Sequence, residues 1–130
     1  MSLTKTPICD FGKKAENFQL NSTDNKIVSL NDIKGENGTL IMFICNHCPY
    51  VKAVIEDIVQ DCKKLASNGI KAVAVCSNDV KNYPEDSFEN MIEFQKIIIL
   101  IFLIFLMKLK KLLKTMVQYV LQIFLATIKT

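Results

Sequence analysis

The stretch TLIMFICNHCPYVKAVIEDIVQDCKKLA, residues 39–66, decides the fold. Its opening run, Thr39 to Ile44, is apolar after the first residue and shows no polar alternation, as a central strand covered on both faces requires. From Pro49 the period changes. Val51, Val54, Ile55, Ile58, Val59, Cys62, Leu65 and Ala66 recur at three- and four-residue steps and mark one apolar face of an α-helix. Asn68-Gly69 supplies the stop, because glycine tolerates the left-handed conformation that ends helices. Cys45-Asn46-His47-Cys48 falls where the strand gives way to the helix.

Working outward, Ile70 to Cys76 reads as a second buried strand. Two apolar strands flanking one helix make a βαβ unit, so the strands are expected to be parallel. Upstream, Phe18 to Leu20 and Lys26 to Leu30 read as a β-hairpin whose turn, Asn21 to Asn25, is built of turn-favouring residues. Asn31 to Gly38 reads as a short turn or loop. Downstream, Asp86 with Glu89 three residues later resembles a capping box for a helix marked by Phe88, Met91, Ile92 and Gln95. The fold class is therefore α/β, in the order β-β-β-α-β-α.

A length of 130 residues leaves room for one compact domain, and 50% hydrophobic content excludes a disordered chain. The net charge of +3 hides a division. Residues 1–95 carry ten lysines against all thirteen acids, a net −3, while residues 96–130 carry six lysines and no acid, +6. We read two segments of different origin or role, 1–95 and 96–130. Met1 to Lys14 has no apolar core for a signal peptide, which leads us to expect a cytoplasmic protein. Five cysteines there are not expected to form structural disulfides, and a close Cys-x-x-Cys pair reads as redox or metal chemistry.

The attacking species in disulfide exchange is a thiolate, and a helix N-terminus carries roughly half a positive charge that stabilises one. Cys45 is the expected attacking thiol and Cys48, about one turn on, the resolving thiol. His47, the single histidine, is expected to stabilise the Cys45 thiolate, so that Cys45 is more acidic than a free cysteine. Structural zinc would need two more ligands of suitable spacing. Cys62 and Cys76 fall on buried positions and read as small apolar side chains, and Cys9 as idle. No cofactor is expected.

The block Met42-Phe43-Ile44-Cys45-Asn46-His47-Cys48-Pro49-Tyr50-Val51-Lys52 closely resembles bacterial thioredoxin-like proteins related to the alkyl hydroperoxide reductase/thiol-specific antioxidant (AhpC/TSA, or redoxin) group. Ala15 to Leu20 with Val28-Ser29-Leu30, Cys76 to Asp79, and Tyr83-Pro84-Glu85-Asp86-Ser87 extend the resemblance over about residues 8 to 95. It implies a thioredoxin fold with an N-terminal β-hairpin and a thiol-dependent antioxidant activity at Cys45 and Cys48. The implied partners are protein or small-molecule disulfides, or peroxides, and a thiol reductant system. In peroxiredoxins the peroxide-reacting cysteine would fall on Cys48, with threonine where this chain has Cys45. Their proline seven residues earlier is replaced by Ile41, which favours disulfide exchange over peroxidase activity.

After Gln95 the resemblance stops. Ile97 to Met107 is a run of eleven apolar residues, too short for a membrane span of about 20. Read two bases out of phase, the codons from Lys96 onward restore acidic residues and a Thr-Pro pair like the family's loop opposite the active site. We therefore expect that a frameshift near Lys96 produced the tail, and that the C-terminal part of the fold is missing or replaced. Poor solubility and weak or no activity, an inactive truncated product at the limit, would follow. The rival readings are a thiol peroxidase, a metal-binding module using Cys45, His47 and Cys48, and a basic membrane-associated protein acting through residues 97–128. No nucleic-acid partner and no membrane span are expected.

Overall fold

A computed structural model describes Gly12, residues 14–76 and 78–98, and the strand segments 104–106 and 126–128. The elements run β1 (Gln19–Ser22), β2 (Ile27–Ser29), β3 (Gly38–Phe43), α1 (Pro49–Ser67), β4 (Ile70–Cys76), a 3-10 turn (Pro84–Asp86), α2 (Phe88–Ile98), β5 (Ile104–Leu106) and β6 (Ala126–Ile128). They form one mixed sheet in the order β2-β1-β5-β4-β3-β6. β3 and β4 pair in parallel from Gly38 against Ile70 to Phe43 against Val75, as the βαβ reading requires. The fold class is the expected thioredoxin-like α/β arrangement with its N-terminal hairpin.

Both faces of the central strands are covered, which explains their unbroken apolar sequence. Leu40, Met42 and Ile44 with Ala74 and Cys76 face α1 and α2, packing on Val51, Ile55, Val59, Cys62 and Met91. Ile41, Val73 and Val75 face the other way, against Phe18, Leu20, Val28, Leu30 and Ile33. Alternation along each strand divides the residues between two cores. Of the expected apolar face of α1, Val54 and Ala66 are exposed, Val54 at 39%.

The local stops behave as the sequence predicts. Gly69 has φ +73° and its N–H donates to Ala66 O, closing α1. Asn25, in the hairpin turn, also has positive φ, a conformation that asparagine tolerates. β1 begins one residue and ends two residues later than expected, and β2 is one residue shorter at each end, because their short sequences fix the boundaries weakly. At the entry to β3, a Cβ on Gly35 would lie 2.2 Å from Gly38 O, so only glycine fits this close approach. The buried Thr39 hydroxyl accepts from Gly35 N–H at 3.0 Å and donates to Ile33 O at 3.3 Å.

One expectation changes. Asp86 does not cap α2. That helix starts at Phe88, and the hydroxyl of Ser87 accepts from Asn90 N–H at 3.3 Å. Asp86 lies in the preceding 3-10 turn, is completely buried and turns its carboxylate elsewhere. Of the two outcomes expected for the C-terminal part, missing or replaced, the described strands of the tail fit the second. β5 pairs in parallel with β4 and antiparallel with β1, and β6 pairs antiparallel with β3. The edge of β3 is thus paired. Residues 107–125, most of the segment through which the membrane-associated reading would act, lie outside the described residues, as does Cys9. Among the described residues no helix is long and apolar enough to cross a membrane.

Candidate redox site

β3 and β4 end side by side, with Ile44 N–H donating to Val75 O at 3.0 Å. The chain leaving β3 carries Cys45 to Cys48, and the segment following β4 returns to the same place with Asn78, Tyr83, Glu85 and Asp86. The C-terminal ends of parallel strands are where open α/β sheets hold their sites. Cys45 and Cys48 are half-buried free thiols, whereas Cys62 and Cys76 are buried free thiols within the core.

Helix α1 begins one residue after the motif. Cys48 is its N-cap, with extended backbone and no side-chain cap, Pro49 follows at the first helical position, and the first turn has no acidic residue. The helix therefore reaches Cys45 through the backbone N–H of Cys48, which hydrogen-bonds the Cys45 sulfur and lowers its pKa. That effect does not prevail. Burial, the largest influence, pushes the Cys45 thiol above its ordinary 9.0, and the nearby Asp86 and Cys48 push in the same direction. The expected acidic Cys45 is thus corrected. The sequence placed the thiol at a helix end but gave no sign of the burial or of the carboxylate behind it.

Asp86 organises the site. One oxygen accepts the N–H of Asn46 at 2.7 Å and that of His47 at 3.3 Å. The other is bonded to Asn78 Nδ2 at 2.7 Å and to His47 Nδ1 at 2.7 Å. Asn46 Nδ2 donates to Glu85 O at 3.2 Å, and the His47 ring stacks on Tyr83 with centroids 4.8 Å apart and planes 8° from parallel. The loop between the two cysteines is thereby fixed to residues 83–86 at several points. Of the sequence-predicted residues, Cys45, Cys48 and His47 come together here. Asn46, Asn78, Tyr83 and Asp86 were not read as site residues; the signal was the Tyr83-to-Ser87 string, quoted above only as a likeness.

Donor atoms of Cys45, His47 and Asp86 lie within 4.8 Å of one another, a spacing a metal ion could use. An ion would have to break the His47–Asp86 hydrogen bond and compete with three other N–H groups for the carboxylate. The donor set is committed internally and does not fit a preformed metal site.

The AhpC/TSA family model matches residues 11–106, eleven residues past the point where the sequence resemblance stopped. An uncharacterized conserved protein from Geobacillus kaustophilus is 36% identical, with TM-score 0.80 over 85% of this chain and 59% of its own. A hypothetical protein from Sinorhizobium meliloti 1021 is 24% identical, with TM-score 0.81 over 88% of this chain and 62% of its own. This chain therefore spans about three fifths of the length of those two proteins. A thiol:disulfide interchange protein of the thioredoxin family from Chlorobium tepidum TLS shares the fold at 22% identity, with TM-score 0.64 over 92% of this chain and 71% of its own. No curated protein matches.

Proposed function

Because this chain belongs to the AhpC/TSA family, we propose that its Cys45–Cys48 pair cycles between dithiol and disulfide in exchange with protein or small-molecule disulfides, in an antioxidant role. The Cys45 thiolate attacks one sulfur of the partner disulfide. A mixed disulfide forms, and the other partner sulfur leaves as a thiolate and is protonated. Cys48 then loses its proton and attacks Cys45 in the mixed disulfide, releasing the second partner thiol. The protein loses two electrons and two protons, which the partner gains. A thiol reductant returns the pair to the dithiol. A cytoplasmic location belongs to the same reading.

The observation that carries it is the contact at the head of α1, where two half-buried thiols meet and a backbone N–H of one cysteine hydrogen-bonds the sulfur of the other. The deep burial of Cys62 and Cys76 keeps both from serving as alternatives. Peroxidase action is the weaker reading, since Cys45 and Ile41 stand where peroxiredoxins place threonine and proline. Mild oxidation followed by mass mapping tests the proposal. A Cys45–Cys48 bridge with loss of two hydrogens is expected; a bridge through Cys62 or Cys76, or none, would exclude it.

A further inference from the structure

Asp86 is a completely buried carboxylate, and three of its four hydrogen-bond donors are neutral groups: two backbone N–H groups and the Asn78 amide. The fourth is His47 Nδ1, at 2.7 Å. Among the described residues His47 is the one side chain ion-paired with Asp86, and no lysine reaches it. Neutral donors satisfy the oxygens but cannot cancel the charge. The uncancelled charge is felt nearby, because Asp86 pushes both Cys45 and Cys76 toward their protonated forms. The other titratable groups that the structure places near the ring are Cys45, whose sulfur lies within 4.8 Å of a ring nitrogen, and Tyr83, whose ring lies flat against it. Backbone N–H groups on one oxygen and the Asn78 amide on the other can only donate, so both carboxylate oxygens already serve as acceptors. The proton on the neutral imidazole is then on Nδ1, leaving Nε2 free.

We propose that Asp86 is a positioning residue that holds His47 to receive the proton of Cys45. This rests on the thiol-exchange reading above. Cys45 S–H gives up its proton and keeps the electron pair, and His47 takes that proton on Nε2. The result is a thiolate beside an imidazolium that is itself paired with Asp86. When the thiolate has attacked the partner disulfide, the same proton goes from Nε2 to the departing partner thiolate, and the ring returns to its Nδ1–H form. Tyr83 restrains the ring plane meanwhile. The carboxylate thus acts on Cys45 in two opposed ways. Directly, its charge opposes the thiolate; through His47, it stabilises the cation that accompanies the thiolate.

The opposition provides the test. The rate at which iodoacetamide alkylates Cys45 in the full-length chain, followed by peptide mass mapping, is compared for wild type, D86N, H47N and the double variant near neutral pH. D86N should slow alkylation by about tenfold, the change that one unit of thiol acidity produces. In the H47N background only the direct repulsion remains, so the same substitution should speed it. Acceleration by D86N when His47 is present, or an equal effect in both backgrounds, overturns the proposal. Should D86N fail to fold, the wild-type protein still decides. The chain has one histidine, so nitrogen NMR of its ring reports a single tautomer. A proton on Nδ1 is expected in the neutral ring, and a proton on Nε2 refutes the relay. Alkylation uses neither Cys48 nor a partner disulfide, so a failed exchange reaction and a failed relay are told apart.

Discussion

Asn46 Nδ2 donates to the carbonyl oxygen of Glu85 at 3.2 Å, joining the loop between the two cysteines to a turn 39 residues further along the chain. Asn46 is buried, and its own N–H is spent on Asp86, so the side-chain bond is a second, independent tie between the same two segments. Asn46→Ala leaves the Glu85 carbonyl without that donor and should cost about 1–3 kcal/mol. The urea midpoint should fall with its slope unchanged. An unaltered midpoint would mean that the tie is absent in solution.

The start of α2 separates two readings of one sequence. An Asp86–Glu89 capping box makes Glu89 important and Ser87 incidental, whereas the structure caps the helix with Ser87. Ser87→Ala should destabilise the protein by about 0.5–2 kcal/mol and Glu89→Ala by much less. Paired denaturation curves give the order, and the reverse order restores the capping box.

Stability should depend on pH at the alkaline end. Burial pushes the thiol of Cys62 up to about 11 and that of Cys76 up to about 12, from an ordinary 9.0. Each folded-state value lies above the unfolded one, so the native chain holds these protons more tightly. Their stabilising contribution is complete below about pH 9 and fades as pH climbs through the raised values. Denaturation midpoints should hold up to that point and then decline, and Cys76→Ala should flatten the decline. A midpoint indifferent to alkali in the wild type would show that the two thiols are more exposed than described.

The charge division of the sequence carries a separate proposal, that a shift of reading frame near Lys96 created the tail. Sequencing the locus should find a base gained or lost there, with an open frame continuing in the phase that restores acidic residues. An intact frame running through codon 96 into the tail contradicts the shift. The strands at Ile104–Leu106 and Ala126–Ile128 are compatible with either result, because backbone pairing asks little of the sequence.

Much of the framework was legible because its signals are local. The apolar runs of β3 and β4, the helical period of α1 and the Asn68-Gly69 stop each lie within one element, and β4 falls on Ile70–Cys76 as read. The cysteine pair was legible for the same reason, being tied to the strand–helix junction. Asp86 was not. An aspartate three residues before a glutamate looks alike whether it caps a helix or is buried, and its deciding partners, Asn46 and His47, lie 40 and 39 positions away. The acidity of Cys45 was misjudged for a related reason. The favourable helix end is written in the neighbouring sequence, while the burial and the carboxylate that outweigh it arise only when distant segments pack together.

The most direct measurement is an exchange trap. Full-length Cys48→Ser and Cys45→Ser variants are each mixed with an aromatic disulfide that releases a coloured thiol, and the products are mapped by mass. The account predicts that Cys48→Ser accumulates a stable mixed disulfide at Cys45, located by the peptide map, while Cys45→Ser forms one at Cys48 far more slowly. Equal trapping in both variants, or faster trapping at Cys48 than at Cys45, would contradict the assignment of Cys45 as the attacking thiol.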